Sequence, residues 1–399
     1  MTNRRQFLTG ASALLAASAL PARADTPGVT AKEIKIGQTM PYSGPASAYG
    51  QIGRTEAAYF KWLNEQGGIN GRMVNLISLD DGYSPPKTVE QTRRLIEQEQ
   101  VAFLFNPLGT ACCLSTREYL NQSGVPQLFV ATGAATFSDP EHFKWTCGLQ
   151  PNYQTEASIF GGHILKTKPQ AKIGVLYQND GFGKDYLTGL KAGLGEANAG
   201  MVIKEVSYET SEPTVDSQVA TLQGSGADVF LIAATPKFAA QAIRKSADLG
   251  WDATRYVTDV SLSISSVMKA AGFEKAKGVI TANYGKDASD PRWADDAGFK
   301  EYKTFVEQRM TAKDLIDSNT IYGYDAAVLM AHVLKQCGDD LSRENLLKQA
   351  TNVTGFDLPM LLPGVRINTS PTNYSPIRQM QLQTFNGASW ELFGEVIQG

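Results

Sequence analysis

The sequence predicts an α/β protein in which parallel sheets form two lobes. Apolar strand segments alternate with amphipathic helical segments from residue 34 to residue 282, which is the pattern of sheets built by helical crossovers. A length of 399 residues exceeds what one hydrophobic core usually supports, so two lobes are expected. Small, polar and aromatic loops follow several strands, and such sheets bind ligands at the carboxyl ends of their strands. These observations favour a binding architecture.

The first 24 residues are predicted to be an export signal. A twin-arginine pattern spans residues 3–8, a weakly apolar run spans residues 10–20, and Ala22-Arg23-Ala24 supplies a small-x-small cleavage site. A short N-terminal helix of a cytoplasmic protein is the alternative. We therefore expect cleavage after Ala24 and a location in the periplasm. No later segment approaches the roughly 18 consecutive apolar residues of a membrane span, so the mature protein is expected to be soluble.

The charge balance argues against nucleic acid as a partner. Loss of the signal would remove Arg4, Arg5 and Arg23 and no acidic residue, which shifts the formal net charge from −3 to −6. A chain of that charge is not expected to bind nucleic acid or an anionic membrane surface. The mature protein is expected to be a monomer.

The histidines and cysteines predict neither a metal site nor a cofactor. No C-x-x-C spacing occurs, and the three histidines are scattered, at His142, His163 and His332. In an oxidising compartment a pair of cysteines could be bridged, and the four present, which include Cys337, allow three pairings. A bond from Cys112 or Cys113 to Cys147 is favoured, because both segments belong to the first lobe, whereas adjacency disfavours a bond between Cys112 and Cys113.

The first βαβ unit spans residues 34–81. A strand over residues 34–39 alternates apolar and polar side chains and runs into a loop with two prolines. The following helix places apolar residues between 57 and 63 on one face and stops at Gly67-Gly68. A second strand over residues 74–79 ends on Asp80-Asp81.

Further strands and helices follow the same rhythm. In the first lobe, strands are predicted at 102–105 and 127–130, and the chain crosses to the second lobe around 150–152. In the second lobe, strands are predicted at 172–177, 201–206, 229–232 and 255–258, with a helix at 238–249. The strand at 278–282 is expected to return to the first lobe, followed by helices at 296–308 and 318–336. The last segment lacks helical periodicity and predicts short strands at 365–368, 377–384 and 390–393.

Three motifs identify a related family. They are the SGP…YG loop from Ser43 to Gly50, the GGINGR turn from Gly67 to Arg72, and the LDD strand end from Leu79 to Asp81. Together they resemble the branched-chain amino acid (leucine/isoleucine/valine) group of periplasmic solute-binding proteins, over nearly the whole mature chain. The resemblance implies a type I, Venus-flytrap fold with three crossings at the hinge. It places residues 25–149 and 280–358 in lobe 1 and residues 150–279 and 359–399 in lobe 2.

Two loops are candidates for binding a carboxylate. The first opens a helix, whose unpaired N–H groups and positive end suit an anion, at Gly109, Thr110, Ala111 and Cys112. The second offers similar groups at Ala131, Thr132 and Gly133. In the family these loops hold the ligand's carboxylate; the alternative is that small residues merely make tight turns. The family's first loop is often rich in serine, whereas this chain has Cys112 and Cys113 there.

Aromatic side chains in loops are expected to cover the ligand. Tyr42 and Tyr49 flank the first loop, and Phe182 lies between two glycines in a loop of the other lobe, where the family closes an aromatic ring over its ligand. Ordinary packing is the alternative for Tyr42 and Tyr49. Ala234 and Thr235, which follow a strand of the second lobe, are expected to line the cleft.

Asp259 is the residue on which the ligand class depends. Amino-acid binders of the family place a second-lobe carboxylate against the ligand's ammonium, and Asp259 lies near that position. A cleft-facing Asp259 favours an α-amino acid, whereas an Asp259 that caps the next helix leaves room for a carboxylate without an amino group. A subgroup that carries aromatic acids such as benzoate is also similar, through the stretches 84–92, 177–180 and 234–238.

No pattern of catalytic residues indicates an enzyme. The chain has no G-x-S-x-G elbow, Walker loop or dinucleotide fingerprint. The resemblance implies the binding component of an ABC importer, with membrane permease subunits as partners. A ligand sensor that acts with a membrane receptor is the alternative; its gene would stand beside a kinase or chemoreceptor gene, and a transporter gene beside those of two permeases and two ATPases.

Overall fold

The computed structural model describes residues 26–398 and contains two sheets, which confirms the predicted α/β class. The predicted export signal lies outside the described residues. Over residues 26–398, no helix is both long enough and apolar enough to cross a membrane.

The first sheet has five parallel strands in the order β2-β1-β3-β4-β5. Its strands are β1 (Glu33–Met40), β2 (Met73–Asp80), β3 (Leu104–Phe105), β4 (Gln127–Val130) and β5 (Thr146–Gly148). The alternation predicted in the first strand holds only at its start, where Ile34 and Ile36 are fully buried and Lys35 is half-buried; from Gly37 to Met40 every residue is buried. The carboxyl ends of these strands meet at one edge of the sheet, where the candidate loops begin.

The helices of the first half connect these strands. They are α1 (Gly50–Glu65), α2 (Pro85–Arg93) and α3 (Thr110–Gln122). The apolar face of α1 is buried at Ile52, Tyr59, Phe60 and Leu63, at helical spacing. The helix ends as predicted at the glycine pair, because Gly68 at φ +70° turns its N–H back to the carbonyl of Leu63 at 3.1 Å.

The second sheet has seven strands in the order β12-β11-β10-β9-β8-β6-β7. The five neighbouring strands β10, β9, β8, β6 and β7 pair in parallel. Strand β11 is antiparallel to both β10 and β12. Their bounds are β6 (Ile173–Gln178), β7 (Val202–Tyr208), β8 (Val229–Ala233), β9 (Thr254–Val257), β10 (Ile280–Asn283), β11 (Gln379–Phe385) and β12 (Trp390–Gln398).

Helices cover both sheets. Those of the second lobe are α4 (Tyr153–Thr167), α5 (Gly181–Leu194), α6 (Asp216–Gly224), α7 (Pro236–Asp248), α8 (Lys269–Ala271) and α9 (Phe273–Ala276). Three more then pack on the core of the first sheet: α10 (Ala297–Arg309), α11 (Ser318–Cys337) and α12 (Arg343–Ala350). In that core Phe305, Tyr324 and Leu346 share one hydrophobic cluster with Ile36 and Leu128.

Three expectations about the end of the chain are wrong. Strand β10 does not return to the first lobe; it pairs in the second sheet, with Ile280 opposite Tyr256, because Ala282 is buried against the core of that sheet. The stretch 365–368 is not a strand. Residues 358–377 pack with the first-lobe core, although those from 359 onward were expected in lobe 2. The chain still crosses between the lobes three times: after β5, after β10 and before β11.

The expected disulfide is absent among the described residues, all four cysteines being free and buried. Cys113 donates from Sγ to the carbonyl of Pro107 at 3.3 Å, while Cys147 lies in the core of the first sheet. Burial raises the pKa of both the Cys112 and the Cys147 thiols to about 12. These thiols therefore serve as small apolar side chains.

Candidate ligand-binding site

A cavity lies between the lobes at the carboxyl ends of the strands. Its volume is about 100 Å³, far more than one water needs. Seven of the predicted site residues line it: Tyr49, Gly109, Thr110, Ala131, Phe182, Thr235 and Asp259. The other six do not line it: Tyr42, Ala111, Cys112, Thr132, Gly133 and Ala234. The positions that follow strands thus converge as the fold class predicts.

The loop that begins at Ser43 and the strand end at Asp80 are hydrogen-bonded to each other. Asp80 accepts hydrogen bonds from the backbone N–H groups of Tyr42 and Ser43, at 2.9 and 3.1 Å, and from the Ser43 hydroxyl at 2.6 Å. Burial works to raise the pKa of Asp80, but the hydrogen bonds outweigh it and the pKa is lowered. The SGP loop and the LDD strand end are therefore one hydrogen-bonded unit.

The two tyrosines of the first loop differ in their placement. Tyr49 lines the cavity and donates its hydroxyl to the carbonyl of Val260 in the opposite lobe, at 3.0 Å. Tyr42 instead pairs with the Ser78 hydroxyl at 2.6 Å and packs beside Met40. Of the two alternatives, packing applies to Tyr42.

The amino end of α3 forms part of the cavity wall. Gly109 is its N-cap, at φ +103°, and supplies no side-chain cap. A Cβ at Gly109 would lie 2.6 Å from Cε2 of Tyr83, so only glycine fits there. The N–H groups of the first helical turn have no partners inside the helix, and the helix end is partially positive. This end of α3 suits an anion.

A chain of hydroxyl groups supports the same wall. The Thr132 hydroxyl accepts a hydrogen bond from the N–H of Ala134 at 3.2 Å and lies 2.7 Å from the Thr110 hydroxyl. With Thr132 donating to Thr110, the proton of the Thr110 hydroxyl is free to point into the cavity. Thr132 thus acts through Thr110 instead of lining the cavity itself.

Gly133 belongs to the hinge and not to the cavity. Its carbonyl accepts from the N–H of Tyr153 at 2.8 Å, and a Cβ would lie 2.1 Å from the carbonyl oxygen of Pro151. The loop after β4 therefore packs tightly against the first crossing segment.

The opposite wall is acidic. Asp259 faces the cavity and does not cap a helix, since Thr258 and Ser263 take the N-cap positions on either side. Its N–H donates to the carboxylate of buried Glu156 at 2.8 Å, and Tyr186 donates its hydroxyl to Glu156.

Both acids of this wall have pKa values above their ordinary values. Burial raises the pKa of Asp259 to about 6. Burial, followed by the negative charge of Asp259, raises the pKa of Glu156 well above its ordinary value. A protonated Glu156 can therefore donate to an ionised Asp259, and the pair bears one negative charge at neutral pH.

Thr235 and Ala234 have different places in the second lobe. Thr235 lines the cavity, and its N–H donates to the Tyr208 hydroxyl at 3.0 Å. Ala234 is fully buried, and its carbonyl accepts from the Ser261 hydroxyl at 2.6 Å, which fixes the turn that carries Asp259.

Aromatic rings fill the space between the two walls. Phe182 stands on the first turn of α5 and packs edge-on against Tyr153, with ring centroids 5.1 Å apart. Four lining tyrosines were not predicted: Tyr83, Tyr153, Tyr284 and Tyr322. Tyr83 and Tyr284 follow strands, so the strand-end rule could have found them, whereas Tyr322 lies on a helix and gave no signal.

The lobes touch each other around the cavity. Besides the bond from Tyr49, the N–H of Ala135 donates to Asp185 at 2.9 Å, and Ser263 donates to Asp317 at 3.3 Å. These contacts join the two lobes directly. The structure is thus of a closed cleft, and lobe separation would open it.

The sequence matches the family described as periplasmic binding protein over residues 33–389. A Leu/Ile/Val-binding protein homolog 1 from Brucella abortus is 25% identical over 320 residues, which are 78% of this chain and 81% of that protein.

Solved structures share the fold. A branched chain amino acid ABC transporter protein from Thermus thermophilus with bound valine superposes with a TM-score of 0.83 at 15% identity, covering 93% of this chain and 98% of that one. A solute binding protein of an ABC transporter from R. palustris in complex with benzoate gives 0.78 at 20% identity, covering 92% and 98%. The resemblance drawn from the three motifs is confirmed. Because the family match spans most of its length, this chain belongs to the periplasmic binding protein family.

Proposed function

We propose that the protein captures a small carboxylate in the periplasm, encloses it by lobe closure and delivers it to an ABC importer. The observation that carries the proposal is the amino end of α3, where Gly109 and Thr110 line the cavity and Thr110 can offer its N–H and its hydroxyl to an anion. Hinge closure around a ligand is the known behaviour of periplasmic binding proteins. Closure is favoured only by contacts that the ligand makes in the shut state.

An α-amino acid fits both walls at once. Its carboxylate would bind at α3, and its ammonium would meet Asp259, whose charge is otherwise buried beside Glu156. The relative from Brucella abortus is named for leucine, isoleucine and valine, and the Thermus thermophilus structure holds valine. These names support an amino acid as the first ligand to test.

An aromatic acid without an amino group is the second candidate. The proton shared by Glu156 and Asp259 can satisfy this wall without a ligand cation. The cavity is rich in aromatic rings, including those of Phe182, Tyr153 and Tyr322, which suit a benzene ring. The R. palustris structure holds benzoate.

The permease subunits of an importer are the proposed partners, and catalysis is not proposed. The similar proteins from Brucella abortus, Thermus thermophilus and R. palustris are named as binding proteins or transporter components. The ligand-sensor alternative uses the same cavity, so gene neighbours or a transport assay with the cognate permease must separate the two.

A thermal-shift titration with matched ligands tests the proposal. The mature protein, residues 25–399, is titrated with leucine and benzoate and with leucinamide and benzamide, which lack the carboxylate. One acid is expected to raise Tm and bind near micromolar Kd, roughly −8 kcal/mol, while its amide does not. Equal stabilisation by the amide, no response to leucine, benzoate or any larger amino or aryl acid, or turnover of a ligand would contradict the proposal. The choice between leucine and benzoate decides the class.

A further inference from the structure

The cavity extends beyond the groups that the proposed carboxylate and ammonium would use. Residues of α11 line it from Ser318 to Ala326, which at 1.5 Å per residue is about 12 Å of helix. We call the part of the cavity lined by Lys286, Asp325, Ala326, Leu358 and Leu361 the α11 arm. Tyr284 also lines the cavity, and burial together with the charges of Asp259 and Asp325 raises its pKa.

Asp325 is the polar group of this arm that the protein leaves incompletely bonded. Only 8% of it is exposed, and it lines the cavity. Among the described residues, its one hydrogen bond comes from the N–H of Met360, at 3.3 Å to Oδ1. A buried carboxyl with an oxygen facing a cavity usually has a further partner, in the protein, in water or in a ligand.

A second unpaired group lies on the same helix. Asn319 is 6% exposed and also lines the cavity, and its Nδ2 is buried without a partner in the described part of the chain. The Nδ2 atom of Asn319 is shielded from solvent, so Asp325 is the group of this helix that a ligand in the α11 arm would meet.

The charges around Asp325 select the kind of group. Lys286 donates to Asp296 at 2.6 Å and to the carbonyl of Pro359 at 2.8 Å, so its charge is already paired and offers no site for a second carboxylate. Burial raises the pKa of Asp325 to about 8, so at neutral pH it is mostly protonated and offers little charge to a ligand ammonium. A hydroxyl group is neutral and both donates and accepts, so it can bond to Asp325 in either protonation state.

We infer that the ligand is elongated and ends in a hydroxyl group that binds the carboxyl of Asp325 in the α11 arm. The ligand would then be a hydroxylated aromatic amino acid or a hydroxylated aryl acid. This inference rests on the proposed function, because the carboxylate at α3 sets the direction in which the rest of the ligand points. Burial raises the pKa of Asp325 to about 8, so at neutral pH it can also donate a proton to the hydroxyl oxygen.

The test uses ligand pairs that differ only in the hydroxyl group. Calorimetric titrations compare L-tyrosine with L-phenylalanine, and 3-(4-hydroxyphenyl)propanoate with 3-phenylpropanoate. In the pair that binds, the hydroxylated member is expected to bind at least tenfold more tightly. Asp325→Ala should reduce this preference to less than threefold, and Asp325→Asn should keep most of it, because an amide still donates and accepts.

Three results would overturn the inference. They are a wild-type preference below threefold in both pairs, a preference that survives in Asp325→Ala, and no binding of either pair while leucine or benzoate binds. The last result leaves the proposed function intact, whereas failure of every carboxylate would remove both. The wild-type comparison stands even if a variant does not fold.

Discussion

The two walls of the cavity differ in what they offer a ligand. The first-lobe wall offers the positive amino end of α3 with the N–H and hydroxyl of Thr110, neither of which titrates near neutral pH. The second-lobe wall offers Asp259 backed by Glu156, and both have raised pKa values because they are buried. The first wall can therefore anchor an anion at any ordinary pH, whereas the second decides which other group is accepted. Anchoring and selection are separate, and each can be removed alone.

The largest effect is expected from Gly109→Ala. The new Cβ would lie 2.6 Å from Tyr83 at a residue with φ +103°, so the amino end of α3 must move and the anchor is lost. We expect ligand affinity to fall at least 100-fold, about 2.7 kcal/mol, in a calorimetric titration.

Gly124→Ala is the matched control at the other end of the same helix. Gly124 also has positive φ, +60°, but the nearest atom to its added Cβ is 3.8 Å away. It should lose stability, roughly 1–2 kcal/mol, and keep its affinity. Equal affinities in the two variants would show that the anchor is not at α3.

Asp259→Asn should separate the two ligand classes. An amino acid would lose the charge that meets its ammonium, and we expect about a 100-fold loss of affinity, about 2.7 kcal/mol. An acid without an amino group should bind within threefold of wild type, since the substitution removes no partner of that ligand. Titration of both classes at one pH provides the measurement, and a uniform loss would mean that Asp259 only holds the wall in shape.

Thr110→Ala should weaken binding at least tenfold, about 1.4 kcal/mol, through loss of one hydroxyl donor. Thr110→Ser keeps that donor and its bond to Thr132, so it should stay close to wild type. Equal affinities for the alanine and serine variants would leave the N–H groups of α3 as the sole anchor.

Phe182→Ala tests closure from the second lobe. Phe182 is 2% exposed and packs edge-on against Tyr153 and Tyr186 beside the cavity. Loss of its ring should weaken binding about tenfold, mainly through faster dissociation. Stopped-flow release measures this, with Phe182→Leu as a control that retains apolar bulk. An unchanged release rate would place the ring outside the closing contacts.

The predicted and unpredicted parts of the site differ in the kind of element that carries them. Gly109, Thr110 and Ala131 follow strands, and parallel strands bring their carboxyl ends together, so local sequence was enough. Asp325 and Tyr322 lie on a helix whose buried residues surround most of its circumference. Nothing in such a pattern distinguishes a residue that faces a cavity from one that faces the core.

Strand β10 shows the same limit for the fold. Four apolar and polar residues that form a strand can pair with either sheet, and only the distant partners, Tyr256 and Thr384, settle which. The orientation of Asp259 cannot be read from local sequence for a similar reason, because it depends on the turn that Ser261 fixes through the carbonyl of Ala234.

The smallest expected effect is a difference between Asp325 and Asp259 in how each makes stability depend on pH. Burial raises the pKa of Asp325 to about 8, against the opposing effects of the Met360 N–H and Lys286 and with a further rise from Glu301. The folded state therefore holds a proton that the unfolded chain has lost between about pH 4 and pH 8. Stability from this group is present at low pH and declines as pH rises through that window.

Asp325→Asn removes this decline. We expect the Tm of wild type to fall from pH 6 to pH 8 by a few degrees more than that of the variant, at about 2–4 °C per kcal/mol. The decline due to Asp259, whose pKa is about 6, should instead be nearly complete by pH 7 and should persist in the Asp325 variant. Differential scanning calorimetry without ligand measures both. Parallel curves from pH 6 to pH 8 would mean that Asp325 is solvated in the ligand-free protein, and that the α11 arm opens with the cleft.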